Sequence, residues 1–167
     1  MTRPGRLLAF GVAFGVFLLD RITKLLIQRY VAQWDTYTVI PGFFNIIHTE
    51  NPGAAFSLFA DAQSEWRTFF LVGLAAASLV LIGFLLWHPG GRLGDGRTLR
   101  IALALIMGGA LGNVYDRILQ GAVTDFLDLY INGYHWPAFN IADMGITIGT
   151  ALVLLDVLRS RRHEAIK

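Results

Sequence analysis

Cysteine occupies none of the 167 positions. That absence removes disulfides, thiolate metal sites and cysteine nucleophiles together, and leaves the redox compartment open. Histidine is scarce: His48, His88, His135 and His163 are the only four. With no Gly-x-Ser-x-Gly elbow there is no sign of a serine triad, and zinc lacks its usual ligands. Charge is thin, 16% of residues with a net +2 and no basic tract. Nothing in the chain suits a phosphate backbone, so no nucleic-acid partner is expected. The sequence also lacks internal repeats, which withdraws support from an inverted-repeat transporter.

What is present is apolar. Hydrophobic residues make up 54% of the chain, against roughly 45–50% in a soluble domain. About 20 apolar residues cross a bilayer as a helix, and four stretches qualify, at about 7–27, 66–87, 99–118 and 141–158. The first, LLAFGVAFGVFLLDRITKLLI, has no small-residue cleavage site and exceeds a signal-peptide core in length, so it is expected to be retained. The chain is thus expected to form one integral membrane domain over residues 1–167, with four transmembrane helices and outer segments at about 28–65 and 119–140.

Lysine and arginine accumulate on the cytoplasmic side of short loops. Arg3, Arg6, Arg92, Arg97, Arg100, Arg159, Arg161, Arg162 and Lys167 make nine on one side, against Arg21, Lys24, Arg29, Arg67 and Arg117 elsewhere. Both termini are therefore expected in the cytoplasm, HPGGRLGDGR (88–97) forms a cytoplasmic turn, and Asp125 and Asp143 face outward. In the first outer segment, TYTVI, FFNIIHT and the NPG turn at 51–53 predict a small antiparallel sheet. The second is expected to be a loop or short helix. Trp34, Trp66, Trp87, Tyr134 and Trp136 sit near span ends, as interfacial aromatics do.

Ionisable residues at membrane depth are costly and invite a functional reading, yet each has a plainer alternative. Asp20 and Lys24, spaced i,i+4, suit an ion pair anchoring a helix end. Asn113, Asp116 and Arg117 share one face behind the small residues Gly108, Gly109 and Gly112, an arrangement that also suits a polar helix–helix contact. Asn51 can close a turn or bind a peptide. Asp143 can stabilise the start of the fourth helix, and Asp125 can cap or sit in a loop. As a pair they offer more. Two adjacent carboxylates share a proton, giving one acid and one base near neutral pH, which is the chemistry of aspartic proteolysis. Asp128, Asp116 and Asp20 compete for the paired role, and spacing does not exclude them. A hard cation on two aspartates is conceivable but weakly held, so neither a metal nor another cofactor is assigned.

In order along the chain, DRITK (20–24), ENPGAAFS (50–57), GGALGNVYDR (108–117), TDF (124–126) and WPAFNIAD (136–143) resemble the type II, or lipoprotein, signal peptidases of bacteria. The resemblance covers almost the whole chain. It implies a membrane aspartic endopeptidase that removes signal peptides from prolipoproteins, cutting before a diacylglyceryl-modified cysteine. It implies that Asp125 and Asp143 are the catalytic dyad, and that Asn51, Asn113, Arg117, Asn140, Asp20 and Lys24 bind substrate or support the site. It also implies a multi-pass protein of the bacterial inner membrane, with lipidated prolipoprotein and membrane lipid as partners; a monomer is expected, although the sequence does not encode the oligomeric state. Thr124, Met144 with Gly145, and Pro52 depart from the family's usual residues without removing a catalytic group. A proton-coupled transporter or a lipid-binding scaffold would also use apolar helices, and cleavage in a purified, lipid-reconstituted system separates the three.

Overall fold

In the computed structural model, residues 3–53, 64–87 and 96–164 are described. The cytoplasmic turn expected at 88–97 and the AAFS end of the ENPGAAFS motif lie largely or wholly outside them. Four helices carry the bulk of the chain: α1 (Arg3–Tyr30), α2 (Ser64–Trp87), α3 (Arg97–Gln120) and α4 (Ile141–Glu164). Each contains one expected span. Three of them, over Trp66–Trp87, Arg97–Gln120 and Ile141–Arg159, are long and apolar enough to cross a membrane on their own. α1 has the length, 28 residues, but its later turns carry Asp20, Arg21 and Lys24, which lower its hydropathy.

α3 is the central helix: half of its span is buried, against 11% for α2 and 17% for α4. Small residues allow this. A Cβ at Gly108 would strike the Ala13 carbonyl of α1, one at Gly109 the Ala142 carbonyl of α4, and one at Gly112 the Asp20 carboxylate. With no hydrophobic force between helices in lipid, such close backbone approach supplies the packing. The far half of the bundle closes over Ala9, Ala13, Ile82, Leu86 and Ala104.

A four-stranded antiparallel sheet of order β1-β2-β3-β4 lies at the other end: β1 (Thr36–Ile40), β2 (Phe44–Asn51), β3 (Val123–Ile131) and β4 (Tyr134–His135). The first two strands are those expected from TYTVI and FFNIIHT. The third and fourth replace the loop or helix expected at 119–140. α3 stops at Gly121, whose φ of 76° is a left-handed cap and whose N–H returns to the Arg117 carbonyl at 3.1 Å, and β3 begins two residues later. Val123–Phe126 is buried along its whole length, so the polar–apolar alternation of a half-exposed strand is hidden. Asn132 and Gly133, with φ of 51° and 79°, form the two-residue turn into β4, the left-handed pair that hairpins favour. β2 and β3 run in register with Thr49 opposite Asp125 and Asn51 opposite Val123. The ends of these strands therefore meet the start of α4.

Candidate active site

Asp125 projects from the buried part of β3 and is 2% exposed. Its Oδ2 accepts a hydrogen bond from the Asn51 amide at 3.0 Å, and its Oδ1 one from the Asn140 amide at 2.7 Å. Asn51 is fixed by a turn in which its own Oδ1 accepts the Gly53 N–H at 2.9 Å, so the NPG signal both ends β2 and aims an amide at the carboxylate. Burial raises the Asp125 carboxyl most, the Asn51 bond opposes it, and the Asp143 charge raises it again; the outcome is a pKa of about 6 against an ordinary 3.8.

Asp143 lies in the first turn of α4. Its N–H donates to Asn140 Oδ1 at 2.9 Å, and its Oδ2 accepts the Asn140 N–H at 3.2 Å, a reciprocal cap of the kind found at helix starts. The capping role expected of Asp143 is thus present. Its other oxygen does something a cap does not require: Oδ1 accepts the Asn113 amide at 2.8 Å. Asn140 is the hinge of the arrangement. It is fully buried and binds Asp125 through its side chain and Asp143 through both its backbone and its side chain.

Both carboxylates line a single cleft of about 950 Å³, together with Arg117, Asn51, Glu50, Trp136, Phe139, Met144, Thr147 and Ile148. Arg117 comes from the α3 face named by the sequence. Its Nη1 donates to the Asn113 carbonyl at 3.4 Å, and its charge acts on both carboxylates.

Asp20 and Lys24 are not on the cleft wall. They are buried behind it, where Lys24 Nζ meets Asp20 at 2.9 Å, Asp116 at 2.8 Å and Asn113 Oδ1 at 3.1 Å. Arg21 also pairs with Asp116 and lies over the Tyr115 ring. Asp20 accepts the Ala142 N–H at 2.9 Å, which ties α4 to α1 one residue before Asp143. Sequence reasoning offered the Asp20–Lys24 pair and a polar helix–helix contact through Asn113 and Asp116, while also counting Asp20 and Asp116 as rivals for the paired role; the pairing of Asp116 with Arg21 and Lys24 is the information that spacing lacked. Asp128 is likewise engaged elsewhere, accepting from Asn45 at 2.8 Å and pairing with His135 at 2.8 Å. Three residues apart on one strand, Asp125 and Asp128 point to opposite faces. Of the five aspartates that competed for a paired role, the cleft brings together Asp125 and Asp143.

Among the described residues no group of three or more histidine, aspartate or glutamate side chains could hold a metal ion. A cleft with two amide-held carboxylates on its wall, beside a small antiparallel sheet at one end of a bundle with three membrane-length apolar helices, defines the architecture of a helical membrane protein. The family model for signal peptidase (SPase) II matches residues 12–159, and the chain belongs to the signal peptidase II family. It is 52% identical over 157 residues to the lipoprotein signal peptidase of Solibacter usitatus (strain Ellin6076), covering 94% of each chain. To that of Ralstonia nicotianae (strain ATCC BAA-1114 / GMI1000) it is 46% identical, covering 95% of this chain and 87% of the other. Two bacterial membrane enzyme structures obtained by the in meso method share the fold. One has a TM-score of 0.79 at 31% identity over 92% of this chain and 88% of the other; the second has 0.77 at 32% over 90% and 92%.

Proposed function

We propose that this chain is an aspartic endopeptidase in which Asp125 and Asp143 cut a prolipoprotein immediately before its diacylglyceryl-modified cysteine. Membership of the signal peptidase II family gives the coarser function, removal of signal peptides from prolipoproteins in a bacterial membrane. The observation that carries the finer one is the double hold of Asn140 on both carboxylates at one cleft wall. The shared proton rests on Asp125, whose carboxyl burial pushes up, and substrate binding strengthens that preference by expelling water. Asp143 takes a proton from water as the water oxygen attacks the scissile carbonyl carbon, while Asp125 donates its proton to the carbonyl oxygen. In collapse, Asp143 passes its proton to the amine nitrogen, the C–N bond breaks and Asp125 recovers its proton. Arg117 holds negative charge at the cleft, and Asn51, Asn113 and Asn140 keep the carboxylates in place without neutralising them.

On this reading α1 is the fourth span of one integral membrane domain, and both termini face the cytoplasm. The cleft then opens at the outer surface, where a monomer can hold the peptide while the acyl chains stay in the bilayer. The test is a purified, reconstituted enzyme given a precursor with and without its lipid. Cleavage of the lipidated form alone is expected. Equal cleavage of both would remove the lipid requirement, and cleavage of neither would remove the peptidase.

A further inference from the structure

The end of the bundle away from the carboxylates holds a second cavity, of about 250 Å³, lined by Gly5, Leu8 and Ala9 of α1 and by Arg97, Arg100 and Ile101 of α3. Its lining combines two arginines with the apolar side chains of Leu8, Ala9 and Ile101. Beside it, Arg6 lies 5.0 Å from the centre of the Trp87 ring at the end of α2, so three helices bring cationic or interfacial groups to one level. The acidic group near this place is Asp156 of α4, whose carboxylate borders Gly96. Among the described residues, three arginines thus stand against one aspartate, and Arg100 Nε donates to the Gly96 carbonyl at 3.4 Å.

The depth of the cavity decides what that charge faces. Arg97 and Arg117 are 20 residues apart on α3, which at 1.5 Å per residue is ~30 Å, the thickness of a bilayer's hydrocarbon core. With Arg117 at the cleft, Arg97 falls at the phosphate level of the opposite leaflet and Arg100 about one turn, ~5 Å, nearer the bilayer centre, from where its long side chain can reach the same level. There an arginine fork meets phosphate oxygens, and the aliphatic lining meets the first methylenes of an acyl chain.

We propose that the cavity between α1 and α3 binds the phosphate-bearing headgroup of an anionic phospholipid, with Arg97 and Arg100 holding the phosphate and Leu8 and Ile101 against the chain. Nothing in this site takes part in peptide cleavage; it holds the first and central helices together where no sheet does.

The test compares the intact protein in nanodiscs containing phosphatidylglycerol or phosphatidylcholine, reading retained lipid by native mass spectrometry and thermal stability in the same samples. Wild type is expected to retain phosphatidylglycerol preferentially and to melt higher with it. The Arg97→Gln/Arg100→Gln double variant is expected to lose that preference by about tenfold or more, whereas Arg159→Gln, which changes the charge of the same end but lies outside the cavity, keeps it. Equal retention of the two lipids by wild type would overturn the proposal, and so would an equal loss in Arg159→Gln, which would mean diffuse attraction. Full stabilisation by inorganic phosphate with no further gain from phosphatidylglycerol would assign the site to a free anion and overturn the lipid. If the double variant fails to fold, the wild-type lipid comparison and the phosphate titration still decide the matter.

Discussion

Two groups of aspartates lie one behind the other in this protein, Asp20 and Asp116 fully buried and Asp125 and Asp143 at the cleft, and they are held in opposite ways. Asp20 and Asp116 are met by cations, Lys24 and Arg21, so two acids face two bases and the formal charges sum to zero. Asp125 and Asp143 are met by amides, from Asn51, Asn113 and Asn140, with Arg117 as the one cation on their cleft wall among the described residues. With Glu50 also on that wall, the acids outnumber the base, and a proton shared between Asp125 and Asp143 reduces the excess negative charge. Partner type thus separates the groups: a cation-paired acid fixes helices, whereas an amide-held acid keeps its proton exchangeable. Asn113 joins the two regions, accepting from Lys24 and donating to Asp143, so the ion-paired cluster orients the cleft carboxylate.

The comparison breaks most severely if the rear cluster loses a cation. Lys24→Met leaves Asp20 and Asp116 buried with Arg21 alone, and removing one partner of a buried ion pair costs about 3–5 kcal/mol. A large fall in melting temperature is expected, with activity lost alongside folded protein; a well-folded variant of normal stability would mean that the cluster is not structural.

A smaller effect is tied to pH. The Asp125 carboxyl is raised in the folded protein, so folding favours its protonated form. That contribution is complete below pH ~4 and disappears as pH rises through about 6, by at most ~3 kcal/mol. Melting temperature should fall between pH 4 and pH 8, and Asp125→Asn, which has no proton to lose, should flatten the decline. An unchanged slope would place the titration elsewhere.

Least of all should follow from Asp128→Asn. The amide still fits between Asn45 and His135, on the far face of β3 from the cleft, so a loss of about 1 kcal/mol and cleavage within a few-fold of wild type are expected. Abolished cleavage would restore Asp128 as a rival.

How far these regions were legible depended on what each signal encodes. Hydropathy located the helices because a bilayer imposes length and apolarity, and α1 was recovered despite Asp20, Arg21 and Lys24 because its apolar run continues on both sides of them. The alternation in TYTVI gave β1. It could not give β3, because Val123–Phe126 is buried on both faces and shows no period, although the Asn132–Gly133 turn signal that closes its hairpin was there to be used. Had β3 been recognised, Asp128 would have been set apart from Asp125 by strand parity. Asp116 needed three dimensions, since its pairing with Lys24 and Arg21 spans more than 90 residues. The amide hold on the dyad likewise joins β2, α3, β3 and the start of α4, which no local pattern reports.

Cleavage of a lipidated precursor by Asp125→Asn, Asp143→Asn and the double variant, each measured with its melting temperature and precursor binding, bears most directly on the pairing. An asparagine keeps size and much of the hydrogen bonding, so loss of a cap would cost ~1 kcal/mol or less, and all three proteins should fold and bind. It cannot take a proton from water or share one, so each single variant should lose at least ~10²–10⁴-fold in turnover, with the double variant little worse because the two carboxyls act as a unit. Near-wild-type turnover by either folded single variant would contradict the account and return the catalytic role to other residues.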